Sequence, residues 1–255
     1  MEQRQLPVSL THDLILSAVF DLWFSSKAPS EAVLGMVYQC VTKKFPNTKP
    51  TRLPITQLPE EIRNSDHNLK YQPHLHFDID ATHGIAVGPK SIRFFVQKPY
   101  MGWRKWRPFI IEMWSELADI GFFYKIERTG LRFLNFTEKN LCAVTKTNIK
   151  IGSTILSCQP MTLRTELQEA DYVTILQLAS NAIIDINQSQ RLNGSVIDIE
   201  VVKKVGVLAS EFENTITLIL DESHDIERRL FFDILEPEFV ETLQPVYEEQ
   251  KSCIK

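Results

Sequence analysis

The chain has 255 residues, 44% of them apolar and 24% charged, with a formal net charge of −4. A composition this apolar excludes disorder as the dominant state, and charge interrupts every apolar run well short of the ~20 residues of a membrane-crossing helix. We expect a soluble α+β chain forming one large domain or two small ones.

In chain order, Leu14, Leu16, Ala18 and Phe20 alternate with Ile15, Ser17, Val19 and Asp21, which predicts a buried strand over 13–24. Ser30 is placed to cap a helix over 31–44, whose Val33, Leu34, Val37, Cys40 and Val41 follow helical spacing and stop before Pro46. Pro46, Pro50, Pro54 and Pro59 among polar residues predict a long surface loop over 46–70. The stretch 72–80 then alternates, Leu75, Phe77 and Ile79 against His74, His76, Asp78 and Asp80, and reads as a half-exposed strand. Gly84 and Gly88-Pro89 mark turns around a strand over 91–97. Trp106, Ile110, Met113, Trp114 and Leu117 predict a helix over 103–119, with Pro108 in its first turn and Gly121 as its C-terminal cap. Aromatic and branched residues over 122–136 predict a strand, with a bulge at Gly130.

The second half opens irregularly over 137–157 and continues as a meander of strands over 161–167, 172–184 and 196–202, with a polar connection over 187–194. Phe212, Ile216, Ile219, Ser223, Ile226, Leu230 and Ile234 keep helical spacing and predict one long helix over 212–235, although Ile216, Leu218 and Leu220 also alternate like a strand. Pro237 opens a final short helix that Pro245 ends. No internal repeat is visible in the sequence. Strands come in runs joined by short turns, which predicts an α+β fold of two associated halves, 1–140 and 141–255, each a mainly antiparallel sheet packed with helices.

The charge is unevenly spread: residues 1–128 carry a net +3 and residues 129–255 a net −7. From 81 to 111 there is no acid, while Lys90, Arg93, Lys98, Arg104, Lys105 and Arg107 contribute six cations. One reading is a basic face that meets an acidic partner or an anion; the other is a solvated surface, neutralised by the acidic half of the same chain or of a second copy. No cationic segment leads into a clean apolar run at the N-terminus, where Asp13 and Asp21 flank the apolar residues, so a cytoplasmic location is expected. Cys40, Cys142, Cys158 and Cys253 form no CxxC pair, and reduced thiols are expected.

Trp106, Pro108-Phe109, Trp114 and Leu117, followed by the strand Glu127-Arg128-Thr129-Gly130-Leu131-Arg132-Phe133-Leu134-Asn135, carry a resemblance. With the opening strand and Leu230-Phe231-Phe232, they resemble a sporadically distributed family of uncharacterised prokaryotic proteins of about 250 residues, over nearly the whole chain. The most specific piece is ERxGLRxxN, in which Thr129, Phe133 and Leu134 depart conservatively from the usual pattern. The resemblance carries over no catalytic residue and implies an accessory role, such as bacterial defence or toxin control.

Three constellations bear on chemistry. His74, His76 and Asp78 share one strand face at a spacing that reaches a metal, although alternation alone produces that pattern on an exposed strand. Trp103, Arg104, Lys105 and Arg107 gather at a helix start, where free N–H groups favour an anion, and Arg128 and Arg132 are placed to face the same groove. Their bland alternative is pairing with Glu127 or Asp78. GxGxxG, GxxxxGK[ST], GxSxG and HExxH are all missing, so no cofactor is expected. The expectation is therefore a non-enzymatic protein-binding or adaptor protein, or a homodimer, acting through its sheet surface or its long helix. The alternative is a nucleic-acid or nucleotide-binding protein, including a metal-dependent phosphodiester-acting enzyme; no membrane contact is expected.

Overall fold

A computed structural model describes residues 5–156, 159–186 and 190–248. The chain opens with β1 (Ser9–Leu10) and the long strand β2 (Ile15–Ser26), whose even-numbered Ala18, Phe20, Leu22 and Phe24 are fully buried. Helix α1 (Ser30–Lys44) follows, with Val33, Val37 and Val41 on its buried stripe. Its N-terminal boundary is Pro29 rather than Ser30, and Ser30 makes no side-chain cap. The proline-rich stretch, expected to be loop, folds into β3 (Pro50–Arg52), a 3₁₀ turn at Pro54–Gln57 and the short helices α2 (Glu60–Ser65) and α3 (His67–Lys70). Pro54 and Pro59 fit because each lies at a helix boundary, where the missing N–H costs no hydrogen bond.

A meander of β4 (Leu75–Asp78), β5 (His83–Val87) and β6 (Ser91–Gln97) comes next. Gly84, expected at a turn, lies inside β5, where a side chain would collide with the Phe77 carbonyl and the Phe95 ring. Helix α4 (Trp103–Ala118) buries Trp106, Ile110, Met113, Trp114 and Leu117, and Pro108 sits in its second turn, where it removes one helical donor. Strand β7 (Phe123–Thr137) follows the positive-φ turn at Gly121.

Beyond β7 lie α5 (Leu141–Val144) and the hairpin β8 (Ile149–Ile151) with β9 (Thr154–Leu156), within the stretch expected to be irregular. A second meander of β10 (Thr162–Glu169), β11 (Tyr172–Ile186) and β12 (Gln190–Leu208) runs longer than its apolar pattern, and the polar connection predicted over 187–194 falls partly outside the described residues. The predicted long helix is two: α6 (Ala209–Phe212) and α7 (Ile216–Ile234). The break lets Phe212 turn edge-on against Trp114, with ring centroids 5.1 Å apart, while α7 sets off along the second meander. Helix α8 (Pro237–Thr242) leads to β13 (Pro245–Val246), which pairs with β1 and so joins the two ends of the described chain.

The fold is α+β. Its main sheet has nine antiparallel strands in the order β10-β11-β12-β7-β2-β6-β5-β4-β3. A repeat that the sequence hides is plain in this order. Strand β2, a helix, the meander β4–β6 and α4 form one unit; β7, a helix, the meander β10–β12 and α7 form the other, and β2 pairs with β7 at the centre. The repeat turns over at Gly121, and β7 pairs with both β2 and β12, so one sheet runs across the two units. α1, α4 and α7 contribute to cores on one face of the sheet, which we call the inner face, while the other is the outer face.

Candidate functional site

The outer face is built by register. Across the centre, Phe95, Val19, Arg132 and Glu200 stand in one row, and Arg93, Asp21, Gly130 and Val202 in the next. Trp23 and Arg128 pair one step further on. All lie on the face opposite Phe20, Phe94, Leu131 and Val201, which are buried beneath the helices.

These side chains form one connected network. Asp21, 8% exposed, accepts from Trp23 Nε1 at 2.7 Å and from Arg93 Nε at 3.2 Å, and Arg128 Nη1 lies 3.5 Å away. Arg128 also donates to Glu200, and its guanidinium lies over the Trp23 ring, 4.4 Å from the centroid. The other side of Trp23 stacks on Tyr71 with centroids 3.9 Å apart and planes within 4°. Tyr71 donates to Glu127 at 2.9 Å, and its hydroxyl is pushed up to about 12 by burial and by that carboxylate. Arg132 Nε meets Asp198 Oδ1 at 2.8 Å, with Gln177 donating to the same carboxylate. Burial pushes the Asp21 carboxyl above its ordinary range, against the pull of Arg93 and Arg128.

The ERxGLRxxN strand is explained by this network. The β7–β12 register is continuous from Thr137 to Arg128, so no bulge occurs at Gly130; the irregularity lies at Glu127, opposite Val205 and Gly206. Gly130 has a steric role instead. A Cβ there would come within 2.9 Å of Glu200 Oε1 and 3.1 Å of Arg128 Nη1, so the Arg128–Glu200 pair crosses the strand where no side chain intervenes. The bulge turns Glu127 toward Tyr71, while Leu131 and Phe133 fill the inner core.

The structure divides the cations picked out from sequence. Arg93, Arg128 and Arg132 converge on the outer face, whereas Trp103, Arg104, Lys105 and Arg107 belong to α4, whose buried stripe packs into the inner core. The two sets therefore do not share the groove expected of them. Nor are the partners of Arg128 and Arg132 the expected Glu127 and Asp78; they are Asp21, Glu200 and Asp198. Arg107 forks onto Asp221 at 2.6 and 2.8 Å, Arg104 reaches Glu248 at 3.2 Å, and Trp103 stacks on His224. Lys90, Lys98 and Lys105 make no ion pair with a described residue.

His74 was expected on an exposed strand face, yet it is 8% exposed and precedes β4. The Arg63 guanidinium lies 2.9 and 3.2 Å from its two ring nitrogens, and burial together with that cation pushes it down to about 4. His76 instead bonds Asp78 at 2.9 Å. Among the described residues, no three His, Cys, Asp or Glu side chains converge on one point. Cys142 is disulfide-bonded, not reduced as expected, and Cys40 is a free thiol. Among the described residues, no helix is long and apolar enough to cross a membrane.

Asp21, Trp23, Tyr71, Asp198 and Glu200 were not singled out from sequence. A signal existed for Asp21, an acid in a run apolar on both faces. Comparison with protein-family models, with curated proteins and with solved structures finds no match to the chain.

Proposed function

We propose that the chain is a non-enzymatic adaptor that binds another protein across the outer face of its central strands. The observation that carries this reading is the part-exposed Trp23, fixed between the buried Tyr71 ring and the Arg128 guanidinium, which Asp21 and Glu200 hold in place. Trp, Tyr and Arg are the residues that dominate protein interfaces, and side chains locked before contact lose little entropy on binding. Arg132, nearly half exposed beside them, adds a cation to the rim. The nucleic-acid alternative has less support, because Arg93, Arg128 and Arg132 already face carboxylates and Arg63 occupies the ring of His74. An accessory role in bacterial defence or toxin control is the setting that the sequence resemblance implies, and the N-terminal residues, with Asp13 and Asp21 flanking the apolar run, favour the cytoplasm. The Cys142 disulfide bears on that compartment, since such bonds are rare in reducing cytosol.

The test is affinity capture with the whole chain as bait, compared with a double variant, Lys204→Glu with Arg164→Glu, two exposed cations on outer-face positions. Lys150→Glu, on the separate β8–β9 hairpin, is the control. One protein captured by wild type and control, and lost at least tenfold by the double variant, is the expected result. Equal capture by all three would remove the outer face from the interaction; self-association lost in the same variant would make a second copy the partner.

A further inference from the structure

A second site lies on the inner side of the sheet, away from the network above. The start of α4, the end of β7, the middle of α7 and the segment 7–15 enclose a cavity of about 290 Å³. That is near the lower end of the range for small-molecule sites, about 300–1,000 Å³. Leu10, Leu14, Met101, Phe133, Phe231 and Phe232 make most of its wall apolar. Into this wall project Tyr100, Trp103, His224, Glu227 and Asp13.

The polar groups are oddly provisioned. Glu227 is 5% exposed, and its carboxyl makes no hydrogen bond or ion pair with a described residue. Tyr100 Oη is buried without a hydrogen-bond partner, although leaving such a group unmet usually costs about 1–3 kcal/mol. Asp13 accepts from the Ile15 amide at 3.0 Å but forms no ion pair with a described residue. His224 stacks flat on Trp103, with centroids 4.0 Å apart, and is pushed down to about 3 by burial and by Arg228, so it is neutral. Among the described residues the one lining cation, Arg228, is turned to the Pro7 carbonyl at 2.6 Å and toward Asp225 at 3.6 Å.

We propose that this cavity binds a small organic amine in its cationic form, with an apolar body against Phe133 and Phe231 and its ammonium between Glu227, Asp13 and Tyr100. Neither Glu227 nor Asp13 forms an ion pair with Arg228 or Lys98, the cations whose charges reach them, so an ammonium that displaces the Glu227 proton gains a direct partner that an anionic head does not, and aromatic faces favour an ammonium over other polar heads. A neutral imidazole does not oppose it. An ammonium gives Glu227 the partner it lacks, and Tyr100 Oη gains an interaction in the same place. Because burial raises the Glu227 carboxyl to about 8, amine binding near pH 7 releases a proton from it. Asp13, Tyr100, His224 and Arg228 are the other titratable or charged groups facing this cavity.

Three probes of one skeleton test the assignment on the full chain: n-hexylamine, n-hexanol and hexanoate, by calorimetry at pH 7 in buffers of different ionisation enthalpy. Hexylamine is expected to bind at least tenfold more tightly than either of the others, with net proton release and a change in tryptophan fluorescence. Glu227→Gln, isosteric and uncharged, should lose at least tenfold of hexylamine affinity and all proton release. Tyr100→Phe, which keeps the ring, should weaken hexylamine several-fold and leave hexanol unchanged. Equal binding of the three probes, no hexylamine binding, or undiminished hexylamine binding by folded Glu227→Gln would each overturn it.

Discussion

Between its first strand and its meander, the first repeat inserts the 15-residue helix α1, whereas the second inserts the four-residue α5. The consequence is visible in what covers each half of the sheet. Over β2 and β4–β6, α1 and α4 meet in an aromatic core that includes Phe20, Phe24, Phe94, Trp106 and Trp114. Over β10–β12, α7 lies with α5 and α8 on aliphatic Leu176, Leu178, Ile197, Ile199 and Val201. The segment 7–15 fills part of the space beside α7, and the cavity around Glu227 lies beneath it. The same order of main elements thus gives a filled half and a hollow one, and the long α1 against the four-residue α5 is the difference that bears on the cover of the inner face.

The largest expected effect tests that contrast directly. Phe20→Ala should cost about 3–5 kcal/mol, since Phe20 is fully buried and stacked toward Phe94 in a core that two long helices prevent from collapsing. Leu178→Ala, at 1% exposure in the second half, should cost about 2–3 kcal/mol, nearer the lower end for such truncations, because the shorter cover relaxes into the gap. Urea unfolding of both variants gives the comparison; a Leu178→Ala cost equal to that of Phe20→Ala would break it.

Much of this architecture was legible because hydrophobic period follows from burial. Strands β2, β4 and β6, the α4 stripe and the second meander were readable from alternation or 3.6-residue spacing, and the antiparallel α+β class follows from strands joined by short turns. Tertiary packing hid the rest. The pairing of β2 with β7 joins strands that lie far apart in the sequence, Ile15 against Asn135 and Ser26 against Phe123, so the repeat leaves no local trace. β5 was missed because its small residues Gly84 and Ala86 lie under larger neighbours rather than alternating apolar with polar. The outer-face cations were found by type, but their carboxylate partners sit on strands distant in sequence, so their pairing was not. His224 and Glu227 had one signal, their place beside Ser223 and Ile226 on the buried stripe of an otherwise amphipathic helix.

A smaller effect separates the hollow half from the filled one by pH. Glu227 is raised to about 8 in the folded chain, chiefly by burial, whereas in the unfolded chain it titrates near 4.5. Between those values the folded state holds a proton that the unfolded state has released, so the contribution of Glu227 is fully present below about 4.5 and is lost as pH rises toward 8. The slope is at most about 1.4 kcal/mol per pH unit. Glu227→Gln should therefore flatten the pH dependence, gaining on the wild type by up to about 2 kcal/mol between pH 5.5 and pH 7 in urea unfolding. Parallel stability curves for the two proteins would show that Glu227 finds a stabilising partner in the hollow half.

The smallest effects come from two glycines, one in the shared sheet and one in the helix that only the first repeat possesses in full. At Gly130 a methyl group would meet Glu200 Oε1 at 2.9 Å and Arg128 Nη1 at 3.1 Å, both ends of a half-buried ion pair. Gly130→Ala should cost about 1–2 kcal/mol, through displacement of that pair rather than backbone strain. At Gly35, in the middle of α1 and exposed, no atom lies within 4 Å of where a Cβ would stand. Gly35→Ala should stabilise by about 0.5–1 kcal/mol, because alanine loses less backbone entropy in a helix. The opposite signs are the test, read from urea midpoints at constant slope. If Gly130→Ala were neutral, the Arg128–Glu200 pair would have another path across the strand, and the glycine of the ERxGLRxxN strand would need a different explanation. If Gly35→Ala were neutral too, α1 would owe its stability wholly to Val33, Val37 and Val41 against the sheet, and its length would matter more than its propensity in making the first half the filled one.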